Sequence, residues 1–175
     1  MQQSLAAHGW LVFEPNYRGS DSAGGDFYAS IYKDAGQGPG EDVMSGVEAL
    51  KRRGLVDPSR MAVTDWVEMY DLSDGNVTIT EQTGISPWVS GGMAANRLQS
   101  PSSSITRIKA PTLIMSDTSD FRVPITQSFG LYRALKDNHV TTEFYAIPVG
   151  GHFPGDPVRQ MDVYQRWIDW LVKYL

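Results

Sequence analysis

The sequence contains no cysteine, which excludes disulfide bridges, thiolate metal sites and a cysteine nucleophile. No apolar run approaches the roughly 20 residues needed to cross a bilayer, and no secretory signal opens the chain, so we expect a cytoplasmic protein without a membrane partner. Acidic residues outnumber basic ones by 20 to 15, and the net charge of −5 argues against a nucleic-acid partner. Neither the spacing of histidine with acidic residues nor any glycine-rich loop fits a metal or phosphate site, so we expect no cofactor.

Short apolar runs that predict buried strands alternate with amphipathic segments that predict helices. This alternation predicts one α/β domain over residues 1–175, with three layers and a mostly parallel sheet of about four strands. The predicted strands are Trp10–Glu14, Met61–Thr64, Thr112–Ser116 and Thr142–Ile147. The predicted helices are Gln3–Ala7, Glu41–Arg53, Met93–Leu98, Thr126–Asp137 and Val158–Tyr174, and Val77–Thr80 is predicted to be extended.

Two polar residues, Asp120 and His152, each follow one of the last two predicted strands. Parallel strands end at the same edge of a sheet, which is where open α/β folds place their ligands. A carboxylate that orients a histidine is a common acid–base arrangement in catalytic sites. The alternative is that His152 is an ordinary loop residue and that Asp120 caps the following helix.

Six segments, in this order along the chain, resemble the catalytic domain of the prolyl oligopeptidase family, especially its acylaminoacyl-peptidase and dipeptidyl-peptidase branches. The segments are Asn16-Tyr17-Arg18-Gly19-Ser20, Gly40-Glu41-Asp42-Val43, Asp57 to Thr64, Ala110-Pro111-Thr112-Leu113-Ile114, Asp120-Phe121-Arg122-Val123-Pro124 and Gly151-His152-Phe153. The resemblance implies an α/β-hydrolase fold and hydrolysis of a peptide or ester substrate by a serine triad. It also implies that Asp120 is the acid of that triad and His152 its base.

The chain departs from this family at the nucleophile. No G-x-S-x-G segment, the elbow that presents the serine, occurs in the sequence. In the family, G-W-S-Y-G-G follows A-V-T, whereas here Ala62-Val63-Thr64 runs directly into Asp65-Trp66. We therefore expect an internal deletion that removes the serine, the elbow helix and one strand. The family's H-G-G-P strand and its β-propeller would lie before Met1.

Ser90 is the candidate for a substitute nucleophile, because Trp88-Val89-Ser90-Gly91-Gly92 partly matches W-S-x-G-G. A nucleophilic serine requires a strained strand-to-helix turn, and Ser86-Pro87 interrupts any strand before this one. The alternative is that Ser90 is a loop serine.

Three functions remain open at this point. The chain is either a truncated serine-peptidase-like domain that is inactive or very weak, a weak esterase that uses Ser90 or a water activated by His152, or a non-catalytic binding or structural module. We also expect a homodimer or higher homo-oligomer, because loss of neighbouring strands leaves unpaired edges, especially at Trp10–Phe13.

Overall fold

The computed structural model describes residues 2–61, 76–152 and 155–175. Seven α-helices, two β-strands and two short 3-10 helices form the described part. The helices are α1 (Gln2–Ala7), α2 (Gly25–Ala29), α3 (Gln37–Arg52), α4 (Asn76–Thr83), α5 (Gly92–Gln99), α6 (Ile125–Asp137) and α7 (Pro157–Tyr174), the strands β1 (Thr112–Ser119) and β2 (Thr142–Gly150), and the 3-10 helices Asp21–Ala23 and Pro101–Arg107. None of the helices in these ranges combines the length and the apolar character that a bilayer crossing requires.

Strands β1 and β2 pair in parallel and are connected through α6. Their register joins Thr112 to Thr142 and continues to Asp117 and Ile147. It then shifts, because the next pair is Ser119 with Gly150, so two steps along β1 match three along β2. This irregularity, a β-bulge, lies at the carboxyl edge of the sheet, directly before the loops that carry Asp120 and His152.

Helices cover both faces of this two-stranded sheet. Phe144 in β2 contacts α6, because its ring lies 5.2 Å from that of Phe129 and 5.8 Å from that of Tyr132. The next residue, Tyr145, contacts α7, where the guanidinium of Arg166 lies 4.2 Å from the centre of its ring. Because successive side chains of a strand point to opposite faces, α6 and α7 pack on opposite sides of the sheet.

The apolar core of the βαβ unit lies between the sheet and α6. Its buried members are Ile114 on β1, Leu135 on α6 and Val140 in the turn that follows α6. Leu135 is completely buried. Partly buried apolar side chains surround these three, namely Ile108, Leu131, Tyr132 and Phe144. This cluster fixes the two strands whose ends carry Asp120 and His152.

The prediction of a strand at Trp10–Glu14 is wrong, because these residues have no strand conformation. A strand needs a hydrogen-bonded neighbour, and in the described part of the chain the sheet contains β1 and β2 alone. Phe13 instead packs on α3, so close to Gly46 that a Cβ there would clash with its ring. Of the four predicted strands, Thr112–Ser116 and Thr142–Ile147 are therefore present. Residues 62–64 of another, Met61–Thr64, lie outside the described residues.

The extended conformation predicted for Val77–Thr80 is also wrong, because these residues belong to α4. Their β-branched side chains favour a strand, but tertiary contacts override such a preference. Two contacts hold the carboxyl end of α4: the Lys33 N–H donates to the Gln82 carbonyl at 2.6 Å, and the Gln99 side chain donates to the Thr83 carbonyl at 3.2 Å. The five predicted helices and the strands Thr112–Ser116 and Thr142–Ile147 are present, with ends that differ by a few residues.

Arg18 and Asp42 connect the N-terminal loop to α3 through a two-pronged ion pair. The Arg18 Nη2 and Nε atoms donate to the two carboxylate oxygens of Asp42 at 2.7 and 2.8 Å. Arg18 also contacts Asp34, whose other oxygen accepts the Gly38 N–H at 2.8 Å. The hydrogen bonds from Arg18 lower the pKa of Asp42 to about 2. Two of the segments on which the family resemblance rests are thus in direct contact.

Candidate active site

Asp120 and His152 are brought together at the carboxyl edge of the sheet. Asp120 follows the last residue of β1 directly, and His152 lies two residues beyond the end of β2. The His152 Nδ1 atom lies 2.8 Å from the Asp120 Oδ2 atom. Gly151, between β2 and His152, has a φ of +104°, a conformation that favours glycine. The contact therefore depends on the parallel pairing of two strands and on one glycine turn.

Asp120 uses both of its carboxylate oxygens. While Oδ2 contacts His152, Oδ1 accepts the backbone N–H groups of Arg122 at 2.7 Å and Val123 at 2.9 Å. Its side chain is only 6% exposed, whereas that of His152 is 28% exposed. Burial raises the pKa of Asp120, but the hydrogen bonds from Val123, His152 and Arg122 outweigh burial, and the net pKa lies below its ordinary value of 3.8.

The geometry assigns the proton between the two side chains. An ionised carboxylate only accepts hydrogen bonds, so the His152 Nδ1 atom must carry the proton in this contact. In the neutral imidazole, Nε2 then holds the lone pair that can accept a proton. The arrangement is that of a general base whose tautomer is fixed by a buried acid.

Asp117 is a second buried carboxyl group near this pair, and it is not among the site residues predicted from the sequence. It lies on β1, three residues before Asp120, and is 6% exposed. Burial and the negative charge of Asp120 raise the pKa of Asp117 above 3.8, and His152 partly offsets them. The available signal was an aspartate two residues after the apolar run Leu113-Ile114-Met115 of a predicted buried strand, where a charged residue is unusual.

The structure shows no hydrogen bond that joins Ser90 to Asp120 or His152 within the described residues. Ser90 is exposed and belongs to a turn over residues 87–91, directly before α5. The segment from α4 to this turn, residues 84–90, contains bends and turns and no strand. The strand-to-helix geometry of a nucleophile elbow is thus not formed at Ser90. In residues 2–61, 76–152 and 155–175, no three His, Asp or Glu side chains are grouped so as to hold a metal ion.

Sequence comparison relates the chain to one family of known proteins. A profile of the prolyl oligopeptidase family matches it in two segments, residues 1–66 and 62–175. The uncharacterized peptidase YuxL of Bacillus subtilis is 27% identical over an alignment of 204 residues, gaps included, which takes in 95% of this chain and 31% of YuxL. The acylamino-acid-releasing enzyme of Arabidopsis thaliana is 25% identical over 208 residues, which cover 97% of this chain and 27% of that enzyme. The chain thus spans less than a third of the length of these relatives.

Two solved structures share the fold of this chain. The acylaminoacyl peptidase of Pyrococcus horikoshii superposes on 91% of this chain and 31% of its own, with a TM-score of 0.81 and 23% identity. A puromycin-hydrolyzing peptidase of Mycobacterium tuberculosis superposes on 79% of this chain and 26% of its own, with a TM-score of 0.67 and 20% identity. The described fold is therefore that of an α/β-hydrolase fragment.

Proposed function

Because the chain belongs to the prolyl oligopeptidase family, we propose that it is a peptidase-like domain that keeps the acid and base of a serine triad, Asp120 and His152, without the nucleophile. The hydrogen bond of 2.8 Å between these two side chains is the observation that carries the proposal. Loss of a triad serine costs about a million-fold in rate. The domain is therefore at most a weak hydrolase of activated esters, at the level of ordinary imidazole in solution.

The alignment lengths support an internal deletion. The match with YuxL runs over 204 residues, while 95% of this 175-residue chain is about 166 residues. About 38 aligned positions (204 less 166) thus have no residue here. The two family matches overlap at residues 62–66, which is where the sequence predicts that the elbow is missing.

A fluorophosphonate probe with mass mapping tests the missing nucleophile. We expect no labelled serine, because such probes require a serine activated by a base and an oxyanion site. Hydrolysis of p-nitrophenyl acetate should be slow, and His152→Ala should change its rate by less than about twofold. His139→Ala is the matched control for the loss of one imidazole. Labelling of Ser90, or enzyme-like turnover that Ser90→Ala abolishes, would identify a weak esterase instead.

A non-catalytic oligomeric module is the second candidate function. The observation that favours it is the exposure of apolar side chains in the segment predicted as a strand, with Leu11 49% and Phe13 37% exposed. We propose a homodimer that covers this segment, since two-fold closure is the commonest way to bury such a surface.

Sedimentation equilibrium at micromolar concentration tests the dimer. We expect twice the mass of the chain, and we expect Leu11→Asp to shift the protein to monomer. Leu98→Asp serves as the control, because Leu98 is 79% exposed on α5 and lies outside this segment. A monomer mass that does not depend on concentration would contradict the dimer.

A further inference from the structure

Phe121 is the most exposed large apolar side chain in the part of the chain that the structure describes. It is 81% exposed, compared with 79% for Leu98 and Val158. A single exposed apolar side chain is ordinary on a protein surface. Phe121 differs in its position, because it directly follows Asp120, which is almost completely buried and holds His152.

The turn that carries Phe121 is fixed by the same carboxylate that holds the base. The Asp120 Oδ1 atom accepts the N–H groups of the two residues that follow Phe121, at 2.7 and 2.9 Å. The Oδ2 atom contacts His152 at 2.8 Å. The backbone of Phe121 and the imidazole of His152 are therefore positioned by opposite oxygens of one side chain.

We propose that Phe121 contacts the apolar group of a peptide or ester substrate next to its reacting carbonyl, and so gives the site a preference for apolar acyl groups. This inference rests on the proposed function, because it needs His152 to be the group that meets the carbonyl. An aromatic ring offers a large apolar area at a small cost in side-chain entropy. Covering part of it with an aromatic or aliphatic group removes apolar surface of both partners from water.

Alkylation of His152 by chloromethyl ketones tests the inference without requiring turnover. In this reaction a ring nitrogen attacks the methylene carbon, chloride leaves, and the ring loses a proton to solvent. The two reagents are benzyloxycarbonyl-phenylalanine chloromethyl ketone, which carries aromatic groups, and chloroacetone, which carries the same reacting group alone. The rate ratio of the two reagents at His152, measured by peptide mass mapping, cancels any change in the reactivity of the imidazole.

We expect this ratio to fall about tenfold in Phe121→Ala, equivalent to about 1.4 kcal/mol. Phe121→Leu should keep most of it, and Leu98→Ala should leave it unchanged. Both replaced side chains are exposed, so these variants should fold like the parent chain. Equal ratios in the parent, Phe121→Ala and Leu98→Ala would overturn the role of Phe121 but leave the proposed function standing. Failure of His152 to react even with chloroacetone, while His8 and His139 react, would overturn the proposed function as well, because the base would then be out of reach.

Discussion

Replacing Leu135 with alanine is expected to lower the free energy of unfolding by about 2–5 kcal/mol. Leu135 is completely buried on α6 and packs in the cluster that includes Ile114 and Val140. Its truncation removes apolar contacts and leaves a cavity that the surrounding residues fill only in part. Because whole domains are stable by only about 5–15 kcal/mol, the variant should lose much of its folded population on mild heating.

Urea denaturation followed by circular dichroism measures this loss. Leu98→Ala is the control, because it removes the same atoms from a leucine that is 79% exposed on α5, and it should change stability by less than about 0.5 kcal/mol. Equal effects of the two substitutions would mean that α6 does not cover the core of the βαβ unit.

Asp120→Asn is expected to cost about 2 kcal/mol of stability at pH 7, since hydrogen bonds to a charged group contribute about 1.5–3 kcal/mol. The amide oxygen of asparagine can still accept the N–H groups of Arg122 and Val123. Its NH2 group, however, faces the His152 Nδ1 atom, which donates to the carboxylate in the parent protein. The substitution therefore keeps the turn but reverses the hydrogen bond to His152: the amide NH2 donates to Nδ1, and the proton of the neutral imidazole moves to Nε2.

The effect of Asp120→Asn should depend on pH in a defined direction. The pKa of Asp120 is lowered on folding, so its carboxylate stabilises the fold above the ordinary value of 3.8. That contribution disappears as the pH falls through the lowered pKa. The stability difference between the parent and Asp120→Asn should accordingly be largest near neutrality and shrink in acid.

Asp117→Asn provides the matched control, because the same substitution three residues earlier should behave in the opposite way. Burial and the charge of Asp120 raise the pKa of Asp117, so the protonated form is favoured in the fold. The stability that this group contributes is present below 3.8 and is lost as the pH rises through the raised pKa. Relative to the parent, Asp117→Asn should gain stability between pH 3 and pH 7. Urea midpoints, compared with those of the parent, should therefore change with pH in opposite directions for the two variants. A change in the same direction for both would contradict the opposite pKa shifts of Asp120 and Asp117.

The sequence predicts the second half of the chain well because its elements are defined locally. Helix α7 begins at Pro157 behind Asp156, whose side chain accepts the Arg159 N–H at 2.9 Å, and such caps are visible in the sequence. The contact between Asp120 and His152 also follows from the sequence, since both residues come just after parallel strands. Their role in catalysis stays a prediction.

The first half of the chain resists prediction because its conformation depends on distant partners. Trp10–Glu14 is predicted as a buried strand, yet Phe13 packs against Gly46 of α3, and only the tertiary structure decides between these environments. Helix α4 is held at its carboxyl end by Lys33 and Gln99, which are remote in sequence. The environment of Asp117 is not predictable from the sequence for a related reason: its burial and its nearness to Asp120 exist only once the strand is formed.

The bulge between β1 and β2 has a consequence for how this site can change in evolution. Since two steps along β1 match three along β2 before the loops begin, the direction in which each loop leaves the sheet depends on the number of residues in β2. Substitutions at Pro148 or Val149 preserve that number, whereas the loss of one residue would turn the following side chains toward the other face. In related sequences that keep Asp120 and His152, we therefore expect no insertions or deletions at the end of β2, even where the residues at Pro148 and Val149 are replaced.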